Sequence, residues 1–504
     1  MIGYRMSLLL SILSGLLLIP IFPAGNIDML AWFALIPLMH VINDKNAPWA
    51  ALYAFVAGFT AYAGILYWIF PLVKSNTGSV IQSVACLVSL SMYLALFVAV
   101  WAGIVVFCRR QSLPVYMLIV GATWVALEYA RTYLFTGFPW ALIGYSQYRA
   151  FWLLPIVRDT GVYGVSFLVI SVNALLYKLL LFRQTRNSLF TAFAIFSVLI
   201  ALRFIGPIPS ISPGVSSGQI VVGVIQPCIE QVKKWDKQFQ NEILTTYESL
   251  ADAISTLSPR FIVWPETIVP GFLPTDTYST DWAISLVKRT KTANVIGTPY
   301  ADPNGAFYNA SVVVNKEGTA LGVHRKTHLV PFGEFVPFRS ILQPFFGILG
   351  MMGDFNRGTE YLPINIDSLK LGISICSVNM FGDCARKLTK NGSTILINQT
   401  NDAWFFDTAA PEQHFVMNVF RAVENNRPVI VAGNTGVSGI ISPQGLITKR
   451  TAVFTKTMFV AAVTPQTALT FYTAYGDVFA VSCCLIVLLF ILWRIICLIK
   501  CKKS

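Results

Sequence analysis

A chain of 504 residues that is 55% hydrophobic and only 12% charged cannot expose all of its surface to water, since soluble domains carry about 25% charged residues. Its formal charge of +13 would suit a nucleic-acid binder, but the basic residues follow a membrane-topology pattern, so nucleic acid is not expected as a partner. The nine cysteines follow no metal-ligand or disulfide-framework spacing, and five of them (Cys86, Cys108, Cys483, Cys484, Cys497) lie in or beside long apolar runs.

A membrane-spanning helix needs about 20 apolar residues. The chain offers seven candidates before residue 207, at 6–22, 28–43, 49–71, 80–107, 114–131, 161–182 and 188–205, and an eighth at 478–499. The second is short and the fifth carries Glu128, which leaves partial embedding open for both. The first is followed by "IPIFPAGNID", which has no small-x-small cleavage site, so it is read as a retained helix. With the N-terminus inside, Lys45, Arg109 with Arg110, Arg183 with Arg186, and Lys500, Lys502 and Lys503 all fall on the cytoplasmic side. The opposite short loops hold only Lys74, so both termini are expected in the cytoplasm and residues 206–477 on the outer side. Residues 132–160 are apolar but broken by Gly137, Pro139 and Gly144. Because backbone groups in lipid need partners, this segment is expected to be an interfacial loop dipping into the membrane; a packed connector is the alternative.

Residues 206–219 read as a Pro/Gly/Ser-rich linker. Beyond it, short apolar runs predict strands at 220–226, 261–266, 293–299, 309–315, 369–376, 393–400 and 427–434, with helices notably at 236–257 and 411–426. This alternation reads as an α/β domain with buried central strands over 220–477, followed by a final span and a basic tail over 478–504.

Two of these strands run into residues with chemistry, and a third such residue follows a strand edge outside the set. "FIVWPE" ends in Glu266, "LKLGISIC" ends in Cys376, and Lys326 follows a strand edge in "LGVHRKTHLVPFGEFVPF", with Glu334 eight residues on. Strand ends in an α/β domain converge on one rim, where a carboxylate, an ammonium and a thiol would make an acyl-transfer set. Glu266 would take the thiol proton, and Lys326 would stabilise the oxyanion and lower the thiol pKa. Each has a bland reading: a buried cysteine, a capping or ion-paired glutamate, a solvated lysine, and Glu334 as a structural partner of Lys326. His324, His328 and His414 match no metal template, and no metal site is expected.

The stretches "FIVWPET", "YNASVVV", "HRKTHLVPFGEFVPF", "NDAWFFDTAAPEQHFVMNVFRAVENNRPVI" and "FTGFPWALIGYSQ" together resemble the apolipoprotein N-acyltransferases of Gram-negative bacteria. These are inner-membrane members of the nitrilase-like superfamily. The resemblance implies an α-β-β-α sandwich on a bundle of about eight spans, with the catalytic domain in the periplasm. It places the family's Glu-Lys-Cys triad on Glu266, Lys326 and Cys376, and its further acid on Glu334. The family's substrate-facing tryptophan falls on Trp235 and its asparagine on Asn309. It also implies a two-step transfer. Cys376 takes an acyl group from a membrane phospholipid as a thioester, and the α-amine of a diacylglyceryl-cysteine at an apolipoprotein N-terminus receives it. No cofactor and no metal are implied. The chain departs from the family after the nucleophile, where Ser377 and Val378 replace an aromatic residue and a glutamate. The competing readings are a membrane-bound nitrilase-like amidase or hydrolase, and a catalytically impaired lipid- or lipoprotein-binding homologue. Residues 339–355, with three Phe, two Met and three Gly, suit a mobile lid at the membrane surface, or else a loop covering the domain core. One polypeptide holding both membrane and catalytic parts is expected to act as a monomer.

Overall fold

The computed structural model describes residues 3–181, 218–337, 339–342 and 354–501. By contacts the chain divides into two compact units, Met1–Ile208 with Tyr475–Ser504, and Pro209–Ala474.

The first unit is helical. Among the described residues, five helices are long and apolar enough to cross a membrane: Ala47–Ile65, Val80–Cys108, Leu113–Tyr133, Val162–Leu180 and Val478–Cys497. Tyr4–Leu18 and Asp28–Asn43 are shorter apolar helices, and the span expected at 188–205 lies outside the described residues. The stretch 28–43 is not one helix. A short 3-10 segment, Asp28–Trp32, breaks at Phe33, and an α-helix resumes over Ile36–Asn43. The break frees backbone groups that polar side chains from other helices satisfy. Leu35 N–H donates to Asn173 Oδ1 at 3.0 Å, and Leu38 N–H donates to Ser14 Oγ at 2.9 Å. The stretch 49–71 likewise divides, into Ala47–Ile65 and Ile69–Thr77.

Residues 134–161 are folded into this helical unit, which favours the packed alternative over an interfacial loop; residues 139–148 are nearly all buried. Two charges on the helix Leu113–Tyr133 hold them. Arg131 donates to the carbonyls of Trp140 (3.1 Å) and Ala141 (3.0 Å), and Glu128 Oε1 accepts from Ile143 N–H at 2.8 Å and Trp124 Nε1–H at 3.0 Å. The two side chains also face each other at 3.9 Å. Arg131→Leu would strand a buried carboxylate and two carbonyls, a loss of about 3 kcal/mol. The thermal midpoint of the detergent-solubilised protein is therefore expected to fall clearly, and a midpoint equal to wild type would refute this role.

Among its described residues the second unit holds twelve strands: β1 Ile220–Gln226, β2 Phe261–Val263, β3 Ala293–Ala301, β4 Phe307–Val314, β5 Ala320–Arg325, β6 Ile364–Ile366, β7 Leu369–Ile375, β8 Ile395–Thr400, β9 Val429–Gly433, β10 Gly439–Ile441, β11 Ile447–Arg450 and β12 Thr457–Val463. They form two six-stranded sheets, in the orders β12-β1-β2-β3-β4-β5 and β11-β10-β9-β8-β7-β6. The centres are parallel (β1 with β2, β2 with β3; β7 with β8, β8 with β9), and the flanking pairs are antiparallel.

Side-chain alternation builds the layers. Val222, Val224, Phe261 and Val263 join Leu371, Ile373, Ile395 and Ile397 in one core between the sheets. Their neighbours Ile225, Ile262 and Trp264 instead pack with Leu250 and Ile254 of the helix Gln240–Ser255 and Leu286 of the helix Thr277–Thr290. Helices Gly382–Lys390 and Ala410–Asn425 pack on the second sheet, completing an α-β-β-α sandwich. Each fully buried aliphatic or aromatic side chain contributes about 1.5–3 kcal/mol, so the inner core is the main source of stability.

Candidate active site

The strands of both sheets stop at residues that meet. β2 stops at Val263, before Pro265, which has no N–H for a ladder, and Glu266 follows. Lys326 comes directly after β5, and its N–H donates to the carbonyl of Asn309 in β4 at 2.8 Å. The Lys326 ammonium donates to Glu334 Oε1 at 2.9 Å and to Glu266 Oε1 at 3.4 Å. Asn309 Nδ2 ties the same two oxygens, at 2.7 Å to Glu266 and 2.8 Å to Glu334. The remaining oxygens take backbone N–H groups: Glu266 Oε2 from Asn401 and Glu334 Oε2 from Val330, both at 2.9 Å. Lys326 is 1% exposed and Glu266 6%. Charges at that depth persist only when paired and hydrogen-bonded as these are. Burial alone would lower the Lys326 pKa; the carboxylates, Glu334 ahead of Glu266, outweigh it and hold the amine above its ordinary value.

Cys376 begins the 3-10 turn Cys376–Met380 directly after β7, in the left-handed region at φ +52°. A non-glycine residue in this region is strained and must be held there by its surroundings. Burial pushes the thiol well above its usual range, and the nearby Glu266 carboxylate adds to that, while Lys326 and a hydrogen bond with Thr400 oppose it. A sulfur so placed would need a base to take its proton before it could act as a nucleophile.

The structure thus brings Glu266, Asn309, Lys326 and Glu334 into one hydrogen-bonded cluster within electrostatic range of Cys376. Trp235 is not part of that cluster. It follows the short helix Gln231–Lys234, is 52% exposed, and lines a recess with Tyr247, Thr267 and Pro270. Its neighbour Lys234 does reach the site, donating to the Glu266 carbonyl at 3.1 Å and Thr267 Oγ1 at 2.8 Å. Burial brings the Lys234 pKa down to about 8, against the pull of Glu266.

Of the segment 339–355, residues 343–353 lie outside the described residues. Its two ends are pinned: Arg339 pairs with Asp354 at 2.7 Å, and Phe355 N–H donates to the Glu334 carbonyl at 2.9 Å. Sequence reasoning missed Asn398, Thr400, Asn401, Asp402 and the position of His414, which approaches the Cys376 carbonyl rather than its thiol. Their signal was weak, because Asn398 and His414 act on a main-chain carbonyl and Asn401 acts through its own main-chain N–H. Among the described residues, no group of three or more His, Cys, Asp or Glu side chains gathers to hold a metal ion.

Residues 14–175 match the apolipoprotein N-acyltransferase N-terminal domain, and residues 221–471 match the carbon-nitrogen hydrolase family. An apolipoprotein N-acyltransferase of Geobacter metallireducens is 36% identical, over 95% of this chain and 93% of that protein. The chain belongs to the apolipoprotein N-acyltransferase family. A second member, from Methylococcus capsulatus, is 32% identical over 95% of this chain and 94% of its own length. Among solved structures, a Saccharomyces cerevisiae member of branch 10 of the nitrilase superfamily aligns with 51% of this chain and 93% of its own, at 19% identity and a TM-score of 0.40.

Within this N-acyltransferase, Ser377 and Val378 follow the cysteine as buried residues, Val378 at 1% exposure. A carboxylate at position 378 would be a buried charge. Here the Lys326 ammonium already has two carboxylates, so its charge is matched without a third.

Proposed function

We propose that this N-acyltransferase moves a fatty acyl group from a membrane phospholipid to the α-amine of the N-terminal diacylglyceryl-cysteine of apolipoproteins. The observation that carries this reading is the buried Lys326 amine between two carboxylates that Asn309 ties together, in a member of this family whose Cys376 follows the strand β7.

In the first half-reaction Glu266 takes the Cys376 proton as sulfur attacks the ester carbonyl. The Lys326 ammonium faces the oxygen that becomes negative. Collapse breaks the ester C–O bond, and the departing glycerol oxygen receives the proton from Glu266 to leave as lysophospholipid. In the second half-reaction the lipoprotein amine attacks the thioester and gives its proton to Glu266. The C–S bond breaks and the sulfur is reprotonated, which restores the enzyme. Glu334 and Asn309 hold Lys326 and Glu266 in register, and Trp235 serves the substrate side.

The same reading takes residues 1–205 as membrane helices, 206–219 as linker, 220–477 as the catalytic domain and 478–504 as the final helix and basic tail. In this topology the protein is a monomer of the bacterial inner membrane, its catalytic domain periplasmic and both termini cytoplasmic. Support comes from the apolar helices and the bias of the basic residues.

The test uses purified protein and phospholipid labelled in its acyl chain. Covalent label on Cys376 that moves to the amine of an added diacylated lipopeptide is expected, with none on Cys376→Ala. Label lost equally fast with and without peptide would mean hydrolysis instead, and absence of label on wild type would end the enzymatic reading.

A further inference from the structure

The turn that carries Cys376 is gripped from behind by a second set of buried side chains. The helix Ala410–Asn425 turns His414 and Arg421, seven residues apart on one helical face, toward it. Arg421 donates to the carbonyls of Asn379 and Met380, both at 3.1 Å, and Asn379 Nδ2 donates to the His414 carbonyl at 3.2 Å. Two groups converge on the Cys376 carbonyl itself: Asn398 Nδ2 at 3.1 Å and His414 Nε2 at 3.3 Å. The other ring nitrogen of His414 lies 3.0 Å from Asp402 Oδ1, which also accepts the Thr400 hydroxyl at 2.8 Å. His414 and Asp402 are both buried, and a Cβ on Gly436 would stand 2.1 Å from Asp402 Oδ2, so only glycine leaves room for that carboxylate.

A carbonyl oxygen can only accept a hydrogen bond, and so can a carboxylate. The His414 ring therefore satisfies both contacts only with hydrogen on both nitrogens. We propose that Asp402 and His414 are a positioning pair for the nucleophile: a buried imidazolium–carboxylate that grips the Cys376 carbonyl, holds the residue in its left-handed conformation, and so aims the sulfur at Glu266 and Lys326. The proposal rests on Cys376 being the nucleophile, not on the identity of the acyl donor or acceptor. Neither residue touches the reacting atoms; both act through the cysteine backbone.

Full-length protein in detergent is treated with iodoacetamide, and alkylation is followed peptide by peptide, with Cys228 in the same molecule as reference. For His414→Gln and Asp402→Asn, alkylation of Cys376 is expected to slow at least about tenfold while Cys228 is unchanged. The rate of acyl-Cys376 formation from labelled phospholipid should fall in parallel, with the KM for phospholipid unaltered. In 15N-histidine spectra of the wild type, the His414 ring should show hydrogen on both nitrogens, a signature that Asp402→Asn removes. Wild-type rates at Cys376 in both variants would overturn the proposal. So would a singly protonated His414 ring in wild type, which decides the matter even if the variants fail to fold. A wild-type Cys376 that alkylates readily but takes no acyl group from phospholipid would sink the acyl-transfer reading and leave the pair standing.

Discussion

Lys326→Met is expected to slow thioester formation at Cys376 by about 100- to 1,000-fold, as the loss of an oxyanion donor does elsewhere. It is also expected to destabilise the catalytic unit by about 3–5 kcal/mol. The two effects have one origin. The ammonium lies between Glu266 and Glu334 at 3.4 and 2.9 Å, and its removal leaves two buried carboxylates with only Asn309 between them. Because those carboxylates raise the Lys326 pKa in the folded state, its stabilising effect is fully present below the unfolded-state lysine value of about 10.4. It fades only as pH climbs through the higher folded value. Denaturation at neutral pH therefore reads the full loss. Acyl-enzyme formation within a fewfold of wild type would refute the oxyanion role. An unchanged denaturation midpoint would refute the structural one.

Glu266→Gln tests the base. The thiol pKa is raised by burial first and by Glu266 second, so at neutral pH very little thiolate exists without a group to take the proton. The variant is expected to lose about 100- to 10,000-fold in acyl-Cys376 formation near pH 7. The pH profile separates base from scaffold. In wild type the proton passes to a neighbouring carboxylate and the rate should be nearly flat above neutrality. In the variant the rate should climb about tenfold per pH unit as thiolate forms by simple ionisation, up to the raised pKa. A flat, low profile would mean that Glu266 only shapes the site.

How far the sequence reveals this architecture depends on burial. β1, β2, β3, β4, β7, β8 and β9 read as apolar runs because both of their faces are covered. Of the five strands left out of the predicted set (β5, β6, β10, β11, β12), four are sheet edges, and β5, β6 and β11 have no long continuous apolar stretch. The positions of Glu266 and Cys376 are legible as strand ends, since an apolar run stops at each, whereas Lys326 follows a strand edge marked only by its short apolar start. The bridge that Asn309 makes between two glutamates is not, because it is a matter of register between β4 and its surroundings. The contact of His414 with the Cys376 carbonyl is equally invisible, because the group it holds is backbone, the same at every residue. In the helical unit, the apolar stretch 28–43 conceals its break at Phe33, which polar side chains on distant helices make tolerable.

The pairing of β1 with β12 bears on how the molecule is born. Ile220 faces Val463 and Gln226 faces Thr457, so the first strand of the sandwich hydrogen-bonds the last. While the ribosome is still at work, β1 can join β2 but its other edge stays open until nearly the whole lobe has been made. Closing it is a contact of very high sequence separation, the kind that makes folding slow and leaves an unpaired edge exposed to mispairing with other chains. A nascent chain arrested before residue 457 should accordingly be far more aggregation-prone than one arrested just after 463.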